Sequence, residues 1–420
     1  MTVEARDTLI ATVETNPDSS PRLLPESSYA GRRRAIPLAG SSFFVATSVG
    51  GLGLVIQLYM KSLGASTFLI GLVATFESVG LLAGAWLWGS VSDYVKRRRL
   101  LALLALGLAA LIGVLTLLPP TGVVLGTSLF RFLFFAGFGA VSIAIVSAVS
   151  LPGRRGKNLS YISSARSLGF AIGNVSLGVI LELLGFRHAF ALCTVLPIVA
   201  LGLLGLLPPE NPVRPREKVG AWRAVFSAGV ADLFVATMLR QMAIYGTFSL
   251  LYVYMDTIGI SPAVMGAVSA TNTATQVGAL LAFGWLADRV GRRPIFMLGF
   301  ALSAATPLVL IFAANVYGMV LGYMTLGVSF SSMYVGATAH IGDRVPHERH
   351  GQMIGLYESS RGLGGLFGPL IAGATVPWIG FKGMFLVMAG IATLGLLVMM
   401  AGRFVHREVR SVHVKPTGSA

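Results

Sequence analysis

Residues 284–293 read GWLADRVGRR, and residues 89–98 read GSVSDYVKRR. Each stretch places a glycine, an aspartate and paired arginines between two long apolar runs. The offset from 89 to 284 is 195 positions, and it relates three further pairs of segments: YMKSLGAS (59–66) with YMDTIGIS (254–261), SARSLGFAIG (164–173) with SSRGLGGLFG (359–368), and GFRHAF (185–190) with GFKGMF (380–385). One constant offset across four separated matches predicts that the chain contains two copies of one unit.

The composition indicates that lipid surrounds most of the chain. Of the 420 residues, 55% are hydrophobic and 12% are charged, against roughly 25% charged in an ordinary soluble domain. A membrane-spanning helix needs about 20 mainly apolar residues, so the chain has room for about a dozen spans joined by short loops. We therefore expect twelve spans, divided into two six-helix units that share one orientation because six is even.

The placement of the basic residues predicts the topology. A net charge of +15 is compatible with nucleic-acid binding, but the basic residues form short clusters between apolar runs, so we expect no nucleic-acid partner. Clusters that flank spans mark cytoplasmic loops. With the N-terminus inside, the inside segments hold 25 of the 32 lysines and arginines, the outside loops three and the spans four. This distribution predicts a multi-pass protein of the cell membrane with both termini in the cytoplasm.

The spans also set the expected domain boundaries. We predict, in chain order, a disordered cytoplasmic tail at 1–34, an N-terminal six-helix bundle at 35–207, a Pro-rich charged linker at 208–223, a C-terminal six-helix bundle at 224–402 and a cytoplasmic tail at 403–420. The one cysteine, Cys193, lies in an apolar run. We expect it to be a small core residue, and neither a disulfide within the chain nor a cysteine metal site is possible.

This arrangement resembles the major facilitator superfamily of transporters, over residues from about 36 to 402. The family pattern G-x-x-x-D-R-x-G-R-R is complete in the second copy of the motif, at Gly284, Asp288, Arg289, Gly291, Arg292 and Arg293. The first copy keeps Gly89, Asp93, Arg97 and Arg98, but has Tyr94 and Lys96 where the family favours arginine and glycine. The resemblance implies an all-α membrane fold of twelve transmembrane helices in two parallel-repeat bundles, working by alternating access.

The two motif aspartates are expected to need a partner. Asp93 and Asp288 lie at the expected C-terminal ends of helices, where the helix dipole disfavours an acid. A nearby arginine or the N-terminus of another helix would compensate the charge. The resemblance implies a contact between the two halves that gates the cytoplasmic side. The alternative is that the motif only caps a tight loop and marks the topology.

One carboxylate and one arginine lie near the middle of expected spans. Ionisable groups there are costly and usually face the bundle interior or a water-filled cavity. Glu77 in the second span is a candidate proton carrier, because desolvation favours the protonated form of a buried carboxyl. Arg131 resembles the family's proton-coupling arginine, although Phe135 replaces the glycine of that motif. We expect Arg131 to pair with Glu77 and tune it; the alternative for Glu77 is a structural ion pair or a hydrogen-bonded neutral acid.

Further polar residues of the spans are candidates for a substrate cavity. They are Gln57, Arg240, Gln241, Asn272 and Gln276. Arg240 could instead extend to the membrane surface, and the amides could simply hydrogen-bond to neighbouring helices. Glu358 and Arg361 lie three positions apart and so share a helix face, where they are expected to pair with each other or with a motif aspartate. Arg166 is the repeat equivalent of Arg361, which completes a set of interhelical charges.

These features predict a transporter rather than an enzyme. The sequence contains no P-loop nucleotide motif, so ATP is not expected to drive the protein, and no cofactor or metal is expected. The favoured interpretation is a monomer that exports small, mostly apolar compounds in exchange for protons, with a small-molecule substrate, protons and the lipid bilayer as its partners. Two alternatives stay open: an uptake permease for a small anionic metabolite bound by Arg131 or Arg240, and a non-transporting membrane receptor on a transporter fold.

Overall fold

The computed structural model describes the backbone of residues 25–92, 94–149, 155–207, 231–290, 292–342 and 350–412, and over these ranges all regular secondary structure is helical. The first half contains α1 (Pro25–Gly50), α2 (Leu52–Ser62), α3 (Thr67–Val91), α4 (Arg97–Leu115), α5 (Thr121–Val149), α6 (Arg155–Leu184) and α7 (Phe186–Leu204). The second half contains α8 (Ala231–Ser249), α9 (Leu251–Thr257), α10 (Pro262–Val290), α11 (Arg292–Ile311), α12 (Val316–Gly342) and α13 (His350–Val412).

In each half the first span is broken in two, and a glycine corner joins the fifth span to the sixth. Helices α1 and α2 meet at Gly51, and α8 and α9 meet at Leu250. Gly185 joins α6 to α7 with a φ of 83°, and Gly380, its repeat equivalent, turns α13 with a φ of 71°. Residues with a side chain rarely adopt such φ angles, which favours glycine at both positions. The backbone of α13 is not helical at Gly380, so α13 comprises two helices that meet there. The order of the helices therefore agrees with two six-span halves.

The described chain is built to cross a membrane. Nine of its helical segments are long and apolar enough to do so, and one of these, Tyr357–Ala401, has 45 residues. That segment contains the corner at Gly380, so it is long enough for two crossings. Helices α8 and α10 fall outside the nine, because they carry polar residues that include Arg240 and Asn272. An all-α membrane fold is confirmed, and the count of twelve crossings stays a prediction.

Some expected boundaries differ from the helix ends. Helix α1 begins at Pro25, inside the tail expected to be disordered to residue 34, because the alanine, glutamate and arginines there are good helix formers and need no lipid. Helix α13 continues to Val412, past the boundary expected at 402. Residues 1–24, the linker 208–223 and residues 413–420 lie outside the described residues, so these domain limits stay predictions.

The two halves pack together along two crossings, α3 against α13 and α6 against α10. Within the first half, α3 packs on α5 and α1 on α6; within the second, α8 packs on α13 and α10 on α12. Cys193 is buried in the core of the first half and is free. This packing leaves a cavity between the halves, bounded by α1, α6, α8, α9, α10 and α12.

Candidate transport site

A buried ion pair joins α3 to α5. Nη2 of Arg131 lies 3.5 Å from Oε1 of Glu77, and it donates a hydrogen bond of 2.8 Å to Ser128. The two helices approach closely because Gly80 and Gly84 lie directly against the backbone of the segment 129–133. The Arg131 side chain is 1% exposed and that of Glu77 is 18% exposed. The structure thus brings together the two residues expected to pair, with the carboxylate as the more accessible partner.

Arg131 keeps spare donors inside the bundle. Its Nε and Nη1 atoms are buried, and neither has a hydrogen-bond partner among the described residues. A guanidinium has five N–H donors in a fixed fork, so only part of its capacity is used by Glu77 and Ser128. The pair at 3.5 Å is therefore a loose ion pair rather than a fully bonded structural bridge.

The cavity between the halves has a volume of about 320 Å³. Its wall carries aromatic rings, amides and hydroxyl groups, and among the described residues that line it none is charged. The lining consists of Gly50, Ser167, Phe170 and Asn174 from the first half and Phe248, Tyr252, Ser269, Asn272, Thr273, Gln276 and Tyr323 from the second. Both halves therefore contribute to one neutral, partly aromatic cavity.

Asn272 and Gln276, two of the five residues expected to contact substrate, lie in this wall. They are one helical turn apart on α10, and Nε2 of Gln276 donates to Oδ1 of Asn272 at 3.1 Å. The other three lie elsewhere. Gln57 binds the break between α8 and α9, where its Nε2 donates to the Phe248 carbonyl and its Oε1 accepts from the Tyr252 amide, both at 3.2 Å. This amide satisfies backbone groups that a broken helix leaves free.

Arg240 and Gln241 are directed into the second half, away from the cavity wall. Arg240 is 3% exposed and donates to the hydroxyl of Ser303 at 2.5 Å, to Gln241 at 2.7 Å and to the hydroxyl of Ser329 at 3.1 Å. These partners come from α8, α11 and α12. Arg240 and Gln241 are thus not among the described residues that line this cavity, and Arg240 does not extend to the surface. The serines of two neighbouring helices draw the guanidinium inward.

One end of the cavity is closed by contacts that obey the repeat. Gly71 of α3 lies against the carbonyl oxygen of Pro369, and Gly266 of α10 lies against the carbonyl oxygen of Asn174, so closely that a methyl group would overlap either oxygen. Each glycine and each carbonyl is related to its counterpart by the offset of 195 positions. The same glycine-to-carbonyl contact between the halves therefore occurs twice, at positions related by the repeat. We call the contacts at this end of the spans the seal.

Polar contacts reinforce the seal near the loops. Nζ of Lys61 and Oδ2 of Asp256 are 2.5 Å apart. The Tyr252 hydroxyl donates to Oδ1 of Asn174 at 3.1 Å. Two further bonds cross between the halves, from Thr67 Oγ1 to the Gly373 carbonyl at 3.1 Å and from the Ala263 amide to Glu182 Oε2 at 2.8 Å. Asn174 and Tyr252 also line the cavity, which extends from their contact along α6 to Ser167 and along α10 from Ser269 to Gln276.

At the opposite ends of the spans, two arginines of the first motif copy bind carbonyl groups of their own half. Arg97 donates to the carbonyls of Ser92 and Ala144 at 3.4 and 3.3 Å. Arg98 donates to the Leu207 and Gly205 carbonyls, both at 2.8 Å. Arg98 thus caps the C-terminal end of α7, where a cation is favoured.

The second copy of the motif is described in part. Arg289 stacks 3.9 Å from the centroid of the Trp285 ring. Gly89 and Gly284 face open space, since a Cβ atom at either would meet nothing within 4 Å. Asp93 and Gly291 lie outside the described residues, as do the side chains of Asp288, Arg292 and Arg293. The gating role of the motif stays a prediction.

The repeat-related arginines Arg361 and Arg166 have diverged in their surroundings. Nη1 of Arg361 lies 2.9 Å from both carboxylate oxygens of Glu358, and the guanidinium is 5.7 Å from the centroid of Phe330. Arg166 lies 5.7 Å from the centroid of Phe135, and no described carboxylate pairs with it. The expected pairing of Glu358 with Arg361 is thus present.

Sequence reasoning missed part of the cavity and most of the seal. Phe170, Asn174, Tyr252 and Tyr323 were not singled out as lining residues, although each is an aromatic or amide side chain within a span. Lys61 and Asp256 lie in the quoted repeat segments at equivalent positions. Their opposite charges at equivalent places next to the same turn were the available signal, because equivalent positions lie close together when they are near the two-fold axis.

Comparisons with known proteins agree with this architecture. The sequence model of the Major Facilitator Superfamily matches residues 38–258 and, overlapping, 233–419. The chain is 23% identical over 363 residues to NiaP of Bacillus subtilis (strain 168), named as a niacin/nicotinamide transporter, with 81% of this chain and 88% of that protein covered. It is 23% identical over 353 residues to the multidrug resistance protein MdtG of Salmonella paratyphi A, covering 80% and 87%. Its fold is similar to that of a variant of the nucleoside transporter NupG, with a TM-score of 0.74, 14% identity, and 88% and 99% of the two chains covered.

Proposed function

The chain belongs to the major facilitator superfamily, and from that premise we propose that it exports small, mostly apolar compounds in exchange for protons, by alternating access. The pair of Glu77 and Arg131 carries this proposal. A carboxyl group inside the membrane, beside a cation that keeps its proton, can take up and release a proton as its surroundings change. The relative MdtG, named for multidrug resistance, supports export.

We assign the seal to the outside of the cell membrane and the open part of the cavity to the cytoplasm. The basic clusters that follow α3 and α10 lie at the ends of the spans opposite the seal, and positive loops face the cytoplasm. Both termini are then cytoplasmic. In this inward-facing state the Glu77 carboxyl would release its proton to the cytoplasm while substrate binds. In the outward-facing state it would take up a proton from outside as substrate leaves.

The motif fits a role on the cytoplasmic side. Arg97 and Arg98 bind carbonyls of their own half in the state described here, and the glycines that begin the two motifs face open space. Closing the cytoplasmic side would bring the two halves together at this end, as rocking of one half against the other requires. The motif would then act as the gate that opposes the seal.

The geometry does not favour an uptake permease for anions. The guanidinium groups of Arg131 and Arg240 hydrogen-bond within their own halves and do not belong to the cavity wall. An anion in the cavity would thus be desolvated without a cation to pair with, which is costly. A neutral and partly aromatic wall suits apolar compounds better.

Transport in proteoliposomes tests the proposal. The purified full chain would be reconstituted and supplied with a panel of lipophilic cations, neutral aromatic compounds and small organic anions, with and without an acidic lumen. We expect accumulation of a neutral compound only when the lumen is acidic, because the described wall offers no counter-ion to a charged compound. Transport of anions alone, or accumulation that is equal with and without the pH gradient, would contradict proton-coupled export.

A matched pair of variants locates the proton site. Glu77→Gln should abolish gradient-driven accumulation but keep exchange of labelled for unlabelled substrate, because exchange needs no net proton movement. Glu358→Gln removes a carboxylate that is exposed and pairs locally with Arg361, so its gradient-driven transport should persist. Unchanged pH dependence in Glu77→Gln would exclude Glu77 as the proton carrier.

A further inference from the structure

We propose that the cavity binds a neutral, planar molecule with an amide-like edge, that is, a hydrogen-bond acceptor next to an N–H donor, as in a heteroaromatic carboxamide or a pyrimidinone. This inference rests on the proposed transport function and narrows its substrate class. It is carried by three features of the cavity wall: its lack of charge, one pair of amides and a set of aromatic rings.

The neutral wall disfavours ions. None of the described lining residues is a carboxylate, an amine or a guanidinium. An ion that enters must give up hydration without gaining a counter-ion, which costs far more than burying a hydrogen-bonded neutral group. Glu77 and Arg131 pair with each other and are not lining residues, and Arg240 is bonded within the second half. Neutral molecules should thus bind more tightly than charged molecules of the same shape.

The amides of Asn272 and Gln276, which both line the cavity, leave one donor and one acceptor unused. Nε2 of Gln276 donates to Oδ1 of Asn272 at 3.1 Å, which leaves the NH₂ group of Asn272 and the carbonyl oxygen of Gln276 free. No other described group engages these two atoms. Exchanging the oxygen and nitrogen assignments of both amides leaves the same set free, so the pattern does not depend on amide orientation. The complementary ligand edge carries an acceptor beside a donor.

Aromatic side chains favour a flat ligand. Phe170 of the first half and Phe248 and Tyr252 of the second line the same cavity, and the rings of Phe248 and Tyr323 meet edge to face at 5.2 Å. Planar π-systems pack well against such rings in offset or edge-to-face geometry. A volume of about 320 Å³ lies at the small end of the range for ligand pockets. The cavity therefore fits a small ring compound rather than a long amphiphile.

Equilibrium binding to the purified full chain tests the inference without any pH gradient. Nicotinamide, nicotinate and 1-methylnicotinamide share one ring and are neutral, anionic and cationic at neutral pH. Benzamide and uracil present the same amide edge on other rings. We expect at least one of the three neutral compounds to bind, and nicotinate and 1-methylnicotinamide to bind roughly tenfold more weakly or worse than nicotinamide, because the wall offers no counter-ion.

Variants of α10 test which side chains bind the ligand. Gln276→Leu should weaken binding of the neutral probe roughly tenfold, by removing one hydrogen-bonding group of the edge. Thr271→Val is the matched control, since the Thr271 hydroxyl bonds to the Val268 carbonyl of its own helix and is not a lining residue. Asn272→Asp places a carboxylate in the wall and should reverse the order, so that 1-methylnicotinamide binds more tightly than nicotinamide. This gain of binding would be seen only in a folded protein.

The outcomes separate this inference from the proposed function. Binding of a neutral probe that depends on Gln276, without proton-driven transport, would support the cavity assignment and overturn the proton-coupled mechanism. Proton-driven transport of compounds that bind equally well to Gln276→Leu and wild type would support the proton-coupled mechanism and overturn the cavity assignment. Equal or tighter binding of nicotinate, or no binding by any of the three neutral compounds, would overturn the inference.

Discussion

Lys61 and Asp256 form an ion pair of 2.5 Å across the two halves, and they occupy equivalent positions in the repeat. Equivalent positions lie close together only near the pseudo-two-fold axis that relates the halves. The ends of α2 and α9 are therefore at this axis, and opposite charges hold them together in the sealed state. Two lysines or two aspartates at these positions would place like charges there, so the divergence of this position between the copies favours closure.

Reversing one of these charges should weaken the seal modestly. Both side chains are partly exposed, at 34% and 41%, and exposed pairs contribute about 0.2–1 kcal/mol. Lys61→Asp should therefore shift the balance toward the open-seal state by up to about fivefold. Spin labels on the exposed residues Leu63 and Thr257, read by pulsed electron paramagnetic resonance, would report a larger long-distance population. The double variant Lys61→Asp with Asp256→Lys should restore the wild-type distribution; a failure to restore it would mean that the pair does not hold the seal.

A side chain at Gly266 should open the seal more strongly. Its Cβ atom would overlap the carbonyl oxygen of Asn174, which belongs to a helix and cannot move alone. Overpacking of this kind costs roughly 1–3 kcal/mol, so Gly266→Ala should shift the balance toward the open-seal state about tenfold. The same spin-label distances measure the shift. Gly278→Ala is the matched control in α10, because its Cβ would meet nothing within 4 Å. Equal behaviour of the two variants would show that Gly266 does not hold the halves together.

The repeat offset predicted the architecture but not where individual side chains point. It identified the two halves and related Gly185 to Gly380, which the structure shows to be corners. The pairing of Glu77 with Arg131 was expected from their positions near the middle of two spans. The offset did not indicate that Gln57, Arg240 and Gln241 lie outside the described lining of this cavity. In a soluble helix the polar stripe reveals the exposed face. In a membrane bundle the lipid face and the packed face are both apolar, so a single polar residue does not show which neighbour it meets.

Packing between helices explains what sequence could not supply. Arg240 is directed inward because Ser303 and Ser329, more than sixty positions away in the chain, present hydroxyl groups to it. The contacts of Gly71 and Gly266 depend on helix crossings between the halves. Such long-range partners are set by tertiary structure. The offset could have narrowed the search, because both seal glycines and both opposing carbonyls obey it.

Replacing Arg240 should affect stability and leave substrate binding unchanged. The guanidinium joins α8 to α11 and α12 through two serine hydroxyls, and the buried charge-assisted bonds are worth about 1.5–3 kcal/mol each. The two serines remain bonded to each other at 2.6 Å, which limits the loss. Arg240→Gln should lower the apparent Tm by several degrees, with unchanged affinity for a neutral probe. A marked loss of affinity at unchanged Tm would instead place Arg240 in the binding site.

A side chain at Gly284 should have the opposite effect to one at Gly266. A Cβ atom at Gly284 meets nothing within 4 Å while the seal is closed, so Gly284→Ala should not disturb this state. If the motif closes the cytoplasmic side in the other state, the added methyl group would crowd the approaching half there and there alone. Gly284→Ala should then shift the spin-label distances between residues 63 and 257 toward the sealed population. Combined with Gly266→Ala, it should partly restore the wild-type balance, because the two changes penalise opposite states. A shift of Gly284→Ala in the same direction as Gly266→Ala would contradict a gate built around the motif.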